Sequence, residues 1–329
     1  MKIAVVGATG LVGRTMTGLL EHSALPVTDY IPVASSRSAG SKVTFRSKEH
    51  TVVTPEECLA MRPDLALFSA GGAASLYYAP LFAGAGCKVI DNSSAWRKDP
   101  AIPLVVPEVN PDAIHPHHRL IANPNCSTIQ LVMVLAPLHR QFGIRRVVVS
   151  TYQSVSGSGL KGIRQLEAER GGEVPEMCYP HRIDMNVIPH GGDFLPDGTT
   201  AEEEKLVFES RKIMGAPEIA ITATVVRVPV TVSHSESVNI EFTTPVAAER
   251  VREVLQDQPG IIVQDDTSAN IYPMPILAAG HDEVFVGRIR QDASLDTAVD
   301  LWIVSDNVRK GAATNAIQIA ELMMARRLL

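Results

Sequence analysis

The sequence predicts an α/β fold: an N-terminal Rossmann-like dinucleotide-binding domain, then an α+β catalytic and dimerisation domain with a mostly antiparallel sheet. Three observations carry that expectation. The chain opens with an apolar run, Lys2 to Val6, that leads into Gly7-Ala8-Thr9-Gly10-Leu11-Val12-Gly13 and a helical pattern through Leu20. That is the strand, glycine turn and helix that begin a dinucleotide-binding βαβ unit. Beyond residue 123 the texture changes: β-branched or alternating runs at 146–152, 219–228, 237–243, 284–289 and 299–305 have few helices between them, the pattern of antiparallel pairing. Finally, Val308 to Leu329 reads as one long helix that returns to pack on the first domain. The expected domains are residues 1–122, completed by 308–329, and residues 123–307.

Composition narrows the function. At 329 residues the chain has length for two domains and a sizeable core. A formal charge of −6 excludes nucleic acid or an anionic membrane as the main partner, so any anion must be held locally by a few placed groups. No apolar run has the length of a membrane span, and the N-terminus shows no signal-peptide pattern. Cys58, Cys87, Cys126 and Cys178 are scattered, without metal-ligand spacing. That fits a reducing cytoplasm and predicts no metal site and no disulfide framework. His115, His117 and His118 cluster among prolines in a polar loop, which reads as solvated surface.

In the first domain, Gly7 and Gly10 let the backbone approach a pyrophosphate, and the helix start at Thr9, Leu11 and Val12 supplies N–H donors. The second strand, Tyr30 to Ala34, should end at the adenosine ribose, where an acid would mark NAD. The chain instead gives Ser35-Ser36-Arg37-Ser38-Ala39-Gly40, whose hydroxyls and guanidinium suit the 2′-phosphate of NADP; an ordinary polar turn has the same composition. Strands follow at Leu65 to Ser69 and Lys88 to Asp91, and Gly71 to Ser75 begins a helix. Asp91 to Arg97 is a polar loop at a strand end, with Arg97 either an anion ligand or a surface arginine.

Asn123-Pro124-Asn125-Cys126-Ser127-Thr128 makes a tight entry to a long apolar helix ending at Phe142. Cys126 then falls at the helix N-terminus, where free N–H groups and the helix dipole favour a thiolate. Such a cysteine can attack a carbonyl and leave again. The competing reading is a small buried apolar residue. Downstream lie Gln153, Arg227 and His234, on or beside strands. A thiolate with a nicotinamide implies a thiohemiacetal and a thioester; His234 suits an acid/base and Arg227 a carboxylate clamp. Glu202 and Lys205 share a helical face, though Glu202-Glu203-Glu204 also reads as acids complementing a helix N-terminus. Arg227 and His234 have opposite strand parity, so the chain must bend between them, near Pro229 and Ser233.

These stretches, with Asn186-Val187-Ile188-Pro189, His234-Ser235-Glu236-Ser237-Val238 and Ser305 to Asn315, resemble the aspartate-β-semialdehyde dehydrogenase family along essentially the whole chain. The resemblance implies reversible NADP-dependent conversion of L-aspartate 4-semialdehyde and phosphate into L-4-aspartyl phosphate, with biosynthetic flux toward the aldehyde that feeds lysine, methionine and threonine. Carried over by position, Cys126 is the acylated nucleophile, His234 the acid/base, and Gln153 positions the acyl group. Arg227, Glu202 and Asn125 contact substrate, and Arg97 and Lys205 the phosphate. Gly7, Thr9, Gly10, Leu11, Val12, Ser35, Ser36, Arg37, Ser156, Gly157 and Asn307 hold NADP. The family assembles as a dimer, or a tetramer built of dimers. Ser233 departs from the pattern, which commonly has glycine there. N-acetyl-γ-glutamyl-phosphate reductase shares fold and chemistry, but its nucleophile loop continues through Gly-Cys-Tyr, against Asn125-Cys126-Ser127 here. A non-catalytic paralogue would have lost the cysteine, histidine or arginine, and all three are present.

Overall fold

Runs such as Ile3-Ala4-Val5-Val6 and Leu65-Ala66-Leu67-Phe68 are apolar on both faces of a strand, which requires cover on both sides of a sheet. They supply the centre of a parallel sheet in the first of two compact units. The structure, a computed structural model, describes residues Met1–Leu329. It divides into Met1–Asn125 with Ala312–Leu329, and Cys126–Gly311. The first unit runs β1 (Lys2–Val6), α1 (Leu11–His22), β2 (Asp29–Val33), β3 (Lys42–Phe45), β4 (Lys48–Thr51), α2 (Pro55–Met61), β5 (Leu65–Phe68), α3 (Gly72–Gly84), β6 (Lys88–Asp91) and β7 (Leu120–Ala122). Its sheet has the order β2-β1-β5-β6-β7, every neighbouring pair parallel.

The second unit begins with α4 (Cys126–Phe142) and continues with β8 (Ile144–Gln153), α5 (Gly159–Arg170), α6 (Ala201–Met214), β9 (Ala220–Arg227), β10 (His234–Phe242), α7 (Ala248–Gln256), β11 (Ile261–Val263), α8 (Pro275–Ala278), β12 (Val284–Gln291) and β13 (Ala298–Ser305). Its sheet has the order β11-β12-β13-β10-β8-β9. The three inner pairings are antiparallel and the two edge pairings parallel, a mostly antiparallel sheet. α4 lies across β8, β10 and β13 and also touches α6 and α7, so its residues from Ser127 to Leu138 are all buried.

The C-terminal helix differs from the expected single element. Arg309–Ala313 forms a π-helical turn, and α9 spans only Thr314–Ala325. Asp306 anchors the turn: its Oδ1 accepts from the N–H groups of Val308 and Arg309, and its carbonyl accepts from Gly311. After that turn Ala316, Ile319, Ala320 and Met323 join the core formed by Ile3, Met16, Leu20 and Tyr30. The strand expected at 237–243 begins earlier, at His234, and no helix is long and apolar enough to cross a membrane.

Candidate active site

Three strand ends build the centre of the second unit's site. Gln153 closes β8, Arg227 closes β9 and His234 opens β10. Because β8 lies between the other two, Gln153 pairs directly with Arg227, and Tyr152 with Ser235. Arg227 and His234 therefore reach the same edge from separate strands, and strand parity places no constraint on them. Gly157 shows how close they come: a Cβ there would lie 2.6 Å from Arg227 Nη1 and 3.0 Å from both Cε1 and Nε2 of His234. Only glycine leaves that space open.

The chain between Arg227 and His234 turns through Ser233, at φ +76°. That left-handed conformation favours glycine, so the family's usual residue has a clear backbone reason. Ser233 adopts it with its N–H donating to Asn307 Oδ1 at 2.9 Å and its buried hydroxyl unpartnered.

His234 is fully buried. Its Nδ1 accepts from the Ser154 N–H at 3.0 Å and lies 3.1 Å from Ser154 Oγ, while Nε2 has no protein partner. Burial, reinforced by the Arg227 charge, holds its pKa well below the usual histidine value, so the resting imidazole is neutral. Arg227 donates from Nη1 to the Ser154 carbonyl at 2.7 Å, and its guanidinium lies 5.7 Å from the Tyr179 ring centroid. Its buried Nε is unpartnered, a donor available to a carboxylate.

Cys126 is the first residue of α4, partly exposed, and Asn125 before it is buried. The buried-apolar reading of the cysteine does not hold, whereas it does for Cys58 and Cys87: burial pushes the Cys58 thiol up to about 12 and the Cys87 thiol well above the ordinary range. Ser127 Oγ accepts from Gln153 Nε2 at 3.0 Å, linking the head of α4 to the β8 strand end. A Cβ on Gly311 would lie 2.9 Å from the Cys126 Cβ, so the π-helical turn packs its bare backbone against the cysteine.

On α6 the three acids separate by role. Glu203 completes a capping box with Thr200 and accepts from the Val225 N–H at 2.9 Å. Glu202 pairs with Lys205 at 2.9 Å. The helix-terminus reading thus belongs to Glu203, and the shared-face reading to Glu202 and Lys205. In the first unit, Arg97 is buried and donates to the carbonyls of Asn123, at 2.9 Å, and Asn92, at 2.8 Å. Its reading as a surface arginine is corrected by that burial.

The first unit also holds a cleft of about 540 Å³ lined by Gly7, Thr9, Gly10, Ser35, Ser36 and Arg37 with Thr54, Glu56 and Tyr78. Gly7, at φ +94°, has Ser69 O 2.3 Å from the position of a Cβ, so the turn admits nothing larger. Leu11 and Val12 are the first residues of α1. Glycine backbone, an open helix N-terminus and a serine–arginine loop together fit a phosphorylated dinucleotide. Ser156, Gly157 and Asn307, expected beside the cofactor, belong to the second unit.

Residues 2–117 match the family described as "Semialdehyde dehydrogenase, NAD binding domain", and residues 135–310 match "Semialdehyde dehydrogenase, dimerisation domain". An aspartate-semialdehyde dehydrogenase of Aquifex aeolicus is 50% identical over 337 residues, spanning 100% of this chain and 99% of its own. The chain belongs to the aspartate-semialdehyde dehydrogenase family. A crystal structure of aspartate semialdehyde dehydrogenase II from Vibrio cholerae, complexed with ASA, is 44% identical, covers 98% of both chains and has a TM-score of 0.94. The aspartate semialdehyde dehydrogenase of Candida albicans, solved with NADP, is 27% identical with a TM-score of 0.79, over 100% of this chain and 99% of that one. The acetylglutamyl-phosphate alternative gains no support from these relatives.

Several residues that pack against or hydrogen-bond to this site were not found from the sequence. Gly311 was visible as a glycine in a motif, but its approach to Cys126 depends on the π-helical turn. Ser127 and Ser154 act through hydrogen bonds that no spacing reveals.

Proposed function

We propose that the protein interconverts L-aspartate 4-semialdehyde, phosphate and L-4-aspartyl phosphate as an NADP-dependent oxidoreductase, with Cys126 as nucleophile. The observation that carries this reading is the convergence of His234 Nε2 and Arg227 Nη1 on Gly157, at the strand end that Gln153 ties to the Cys126 helix. In the oxidative direction the Cys126 thiolate adds to the aldehyde carbon and forms a thiohemiacetal. His234 takes the hydroxyl proton as the thioester forms. NADP, when bound, supplies the hydride acceptor. A phosphate oxygen then attacks the acyl carbon, the C–S bond breaks, and the thiolate leaves with its electron pair. Arg227 clamps the substrate carboxylate, Glu202 its ammonium, and Arg97 and Lys205 the phosphate. Gln153 and Asn125 orient the acyl group.

Three lines support the finer assignments. The Ser35-Ser36-Arg37 loop on the cleft carries hydroxyls and a guanidinium where NAD would call for an acid, and the Candida albicans relative was solved with NADP. The dimerisation-domain match, with a half-bare sheet face described below, supports a homodimer. Four scattered cysteines without disulfide spacing fit the cytoplasm.

The test is a coupled assay of aldehyde, phosphate and NADP, following NADPH absorbance, repeated with NAD. Absorbance should rise only with all three components, faster with NADP. Cys126→Ala should lower turnover by several orders of magnitude and leave NADP binding intact, because the Gly7 turn is untouched. Substantial turnover in a clean Cys126→Ala preparation would sink the thioester route.

A further inference from the structure

His234 presents a chemical problem. A base must accept at Nε2, so the proton of the neutral ring must first sit on Nδ1. Two groups of Ser154 lie at Nδ1, the N–H at 3.0 Å, which wants a lone pair, and Oγ at 3.1 Å, which can take a proton; the backbone of Ser233 also favours the charged ring.

The orientation of Ser154 Oγ is decided by Asn307. The Ser233 backbone N–H can only donate, and it points at one atom of the Asn307 amide at 2.9 Å; that atom must be the oxygen. The same Oδ1 lies 3.0 Å from Ser154 Oγ, and Ser156 Oγ, itself 3.1 Å from Oδ1, lies 3.0 Å from Ser154 Oγ too; a serine hydroxyl that donates to Oδ1, directly or through Ser156, turns a lone pair toward Nδ1. The other end of the amide, Nδ2, donates to Ser156 Oγ at 3.0 Å and locks the side chain. Every member of this set is buried.

We propose that Ser154 and Asn307 are positioning residues that orient His234, through the chain Nδ1–H to Ser154 Oγ to Asn307 Oδ1, so that Nε2 can take up the substrate proton. The inference rests on the proton-accepting role given to His234 above. When Nε2 takes the thiohemiacetal proton, the Nδ1 proton stays in place and donates to Ser154 Oγ, whose aligned dipoles with Asn307 offset the opposing dipole of the fixed Ser154 N–H. When the ring rests with its proton on Nε2, the Ser154 N–H takes over at Nδ1. Asn307 is thereby given a task in the second unit, distinct from the cofactor contact implied by the resemblance. The ionisable group bearing on His234 is Arg227 at the end of β9; along β10 the next acid is Glu236, two residues on, Cys126 heads the covering α4, and β8 and β13 present Gln153 and Ser305.

The experiment compares kcat/KM against pH for the full-length parent, Asn307→Ala, Asn307→Asp and Ser154→Ala, with NADP affinity titrated in parallel. Asn307→Ala and Ser154→Ala should lower kcat/KM by about 10–100-fold, the range for loss of an orienting hydrogen bond behind a functional histidine, while the NADP affinity of Ser154→Ala stays within about twofold. Asn307→Asp keeps the acceptor and adds a negative charge that favours imidazolium, so its acid limb should lie at higher pH than that of Asn307→Ala. Phosphate titrates identically in all four proteins and cancels in the comparison. Ser154→Ala leaves the Asn307 bonds to Ser156 and Ser233 in place and tests the chain even where an Asn307 variant fails to fold. Coincident limbs in an active set, or a loss of NADP affinity in Ser154→Ala as large as its loss of kcat/KM, would overturn the inference alone. An inactive parent would remove both it and the proposed function.

Discussion

Glu236 lies on the same face of β10 as His234, fully buried beneath α4, opposite Thr151 of β8. Neither carboxyl oxygen has a hydrogen bond of good geometry; Gln130 of α4 is close enough to favour the ionised form, but burial outweighs it and raises the pKa well above the usual carboxylate value. The sign follows directly. A group whose folded pKa is raised binds its proton more tightly when folded, so its contribution is fully present below the unfolded value near 4.5 and is lost as pH rises toward the folded one. Glu236→Gln, close to isosteric with the protonated acid, removes that dependence. Urea denaturation should find the variant equal to the parent below the unfolded value near 4.5 and progressively more stable than it as pH rises above that value. A stability difference that does not change with pH would show that Glu236 is ionised in the folded chain. His234, its pKa shifted down, has the opposite dependence: its contribution is present above the ordinary value of 6.5 and lost as pH falls.

At the scale of elements, α1 depends on one close approach: a Cβ on Gly13 would lie 2.1 Å from the Gly7 carbonyl oxygen. Gly13→Ala must push the helix off the phosphate turn, and overpacking of this kind costs about 1–3 kcal/mol. The midpoint of thermal unfolding should fall and NADP affinity with it; an unchanged affinity would show that the turn and helix move as one body. This glycine turn, the apolar parallel strands and Cys126 at the head of a helix were all legible in sequence, because each is a local pattern. The β3–β4 hairpin was not. Its two-residue turn is Arg46-Ser47, both at positive φ, where the expected signal is Asn-Gly or Asp-Gly. α2 and α7 went unread although their signals are present, a Thr54–Glu57 capping box and an Ala248, Val251, Leu255 stripe. The meeting of Arg227, Gln153 and His234 was illegible for another reason: it depends on sheet order, which places β8 between β9 and β10, and no residue pattern states that order. The Asn307 network depends likewise on contacts across 74 and 153 positions of chain.

At the scale of the whole molecule, the second unit's sheet is covered on one face by α4 and half-bare on the other. The outward residues include Val148, Ser150, Tyr152, Thr222, Thr224, Val226, Ser237 and Trp302, uncharged toward the Tyr152 end of the sheet, while Arg146, Glu241 and the Arg290–Asp300 pair lie toward the other end. Tyr152 is 37% exposed, its ring 5.3 Å from that of Trp302, and a groove of about 380 Å³ runs beside them between Trp302, Tyr272, Met274 and Arg290. An antiparallel sheet facing water normally alternates apolar inside with charged and polar outside, and this one carries aromatic and small side chains where charges belong. The proposed occupant is a second copy of the chain, since this segment matches a dimerisation domain and a twofold contact would set the Tyr152–Trp302 patch against its own equivalent. The parent should then run in light scattering at twice the chain mass, 2 × 35.5 = 71 kDa. Trp302→Glu places an unpaired carboxylate in that contact, and burying it there costs more than a face of this kind can supply. The variant should run as a 35.5 kDa monomer with unchanged far-ultraviolet circular dichroism. A folded Trp302→Glu protein that still runs at the dimer mass would place the contact on some other face of the molecule.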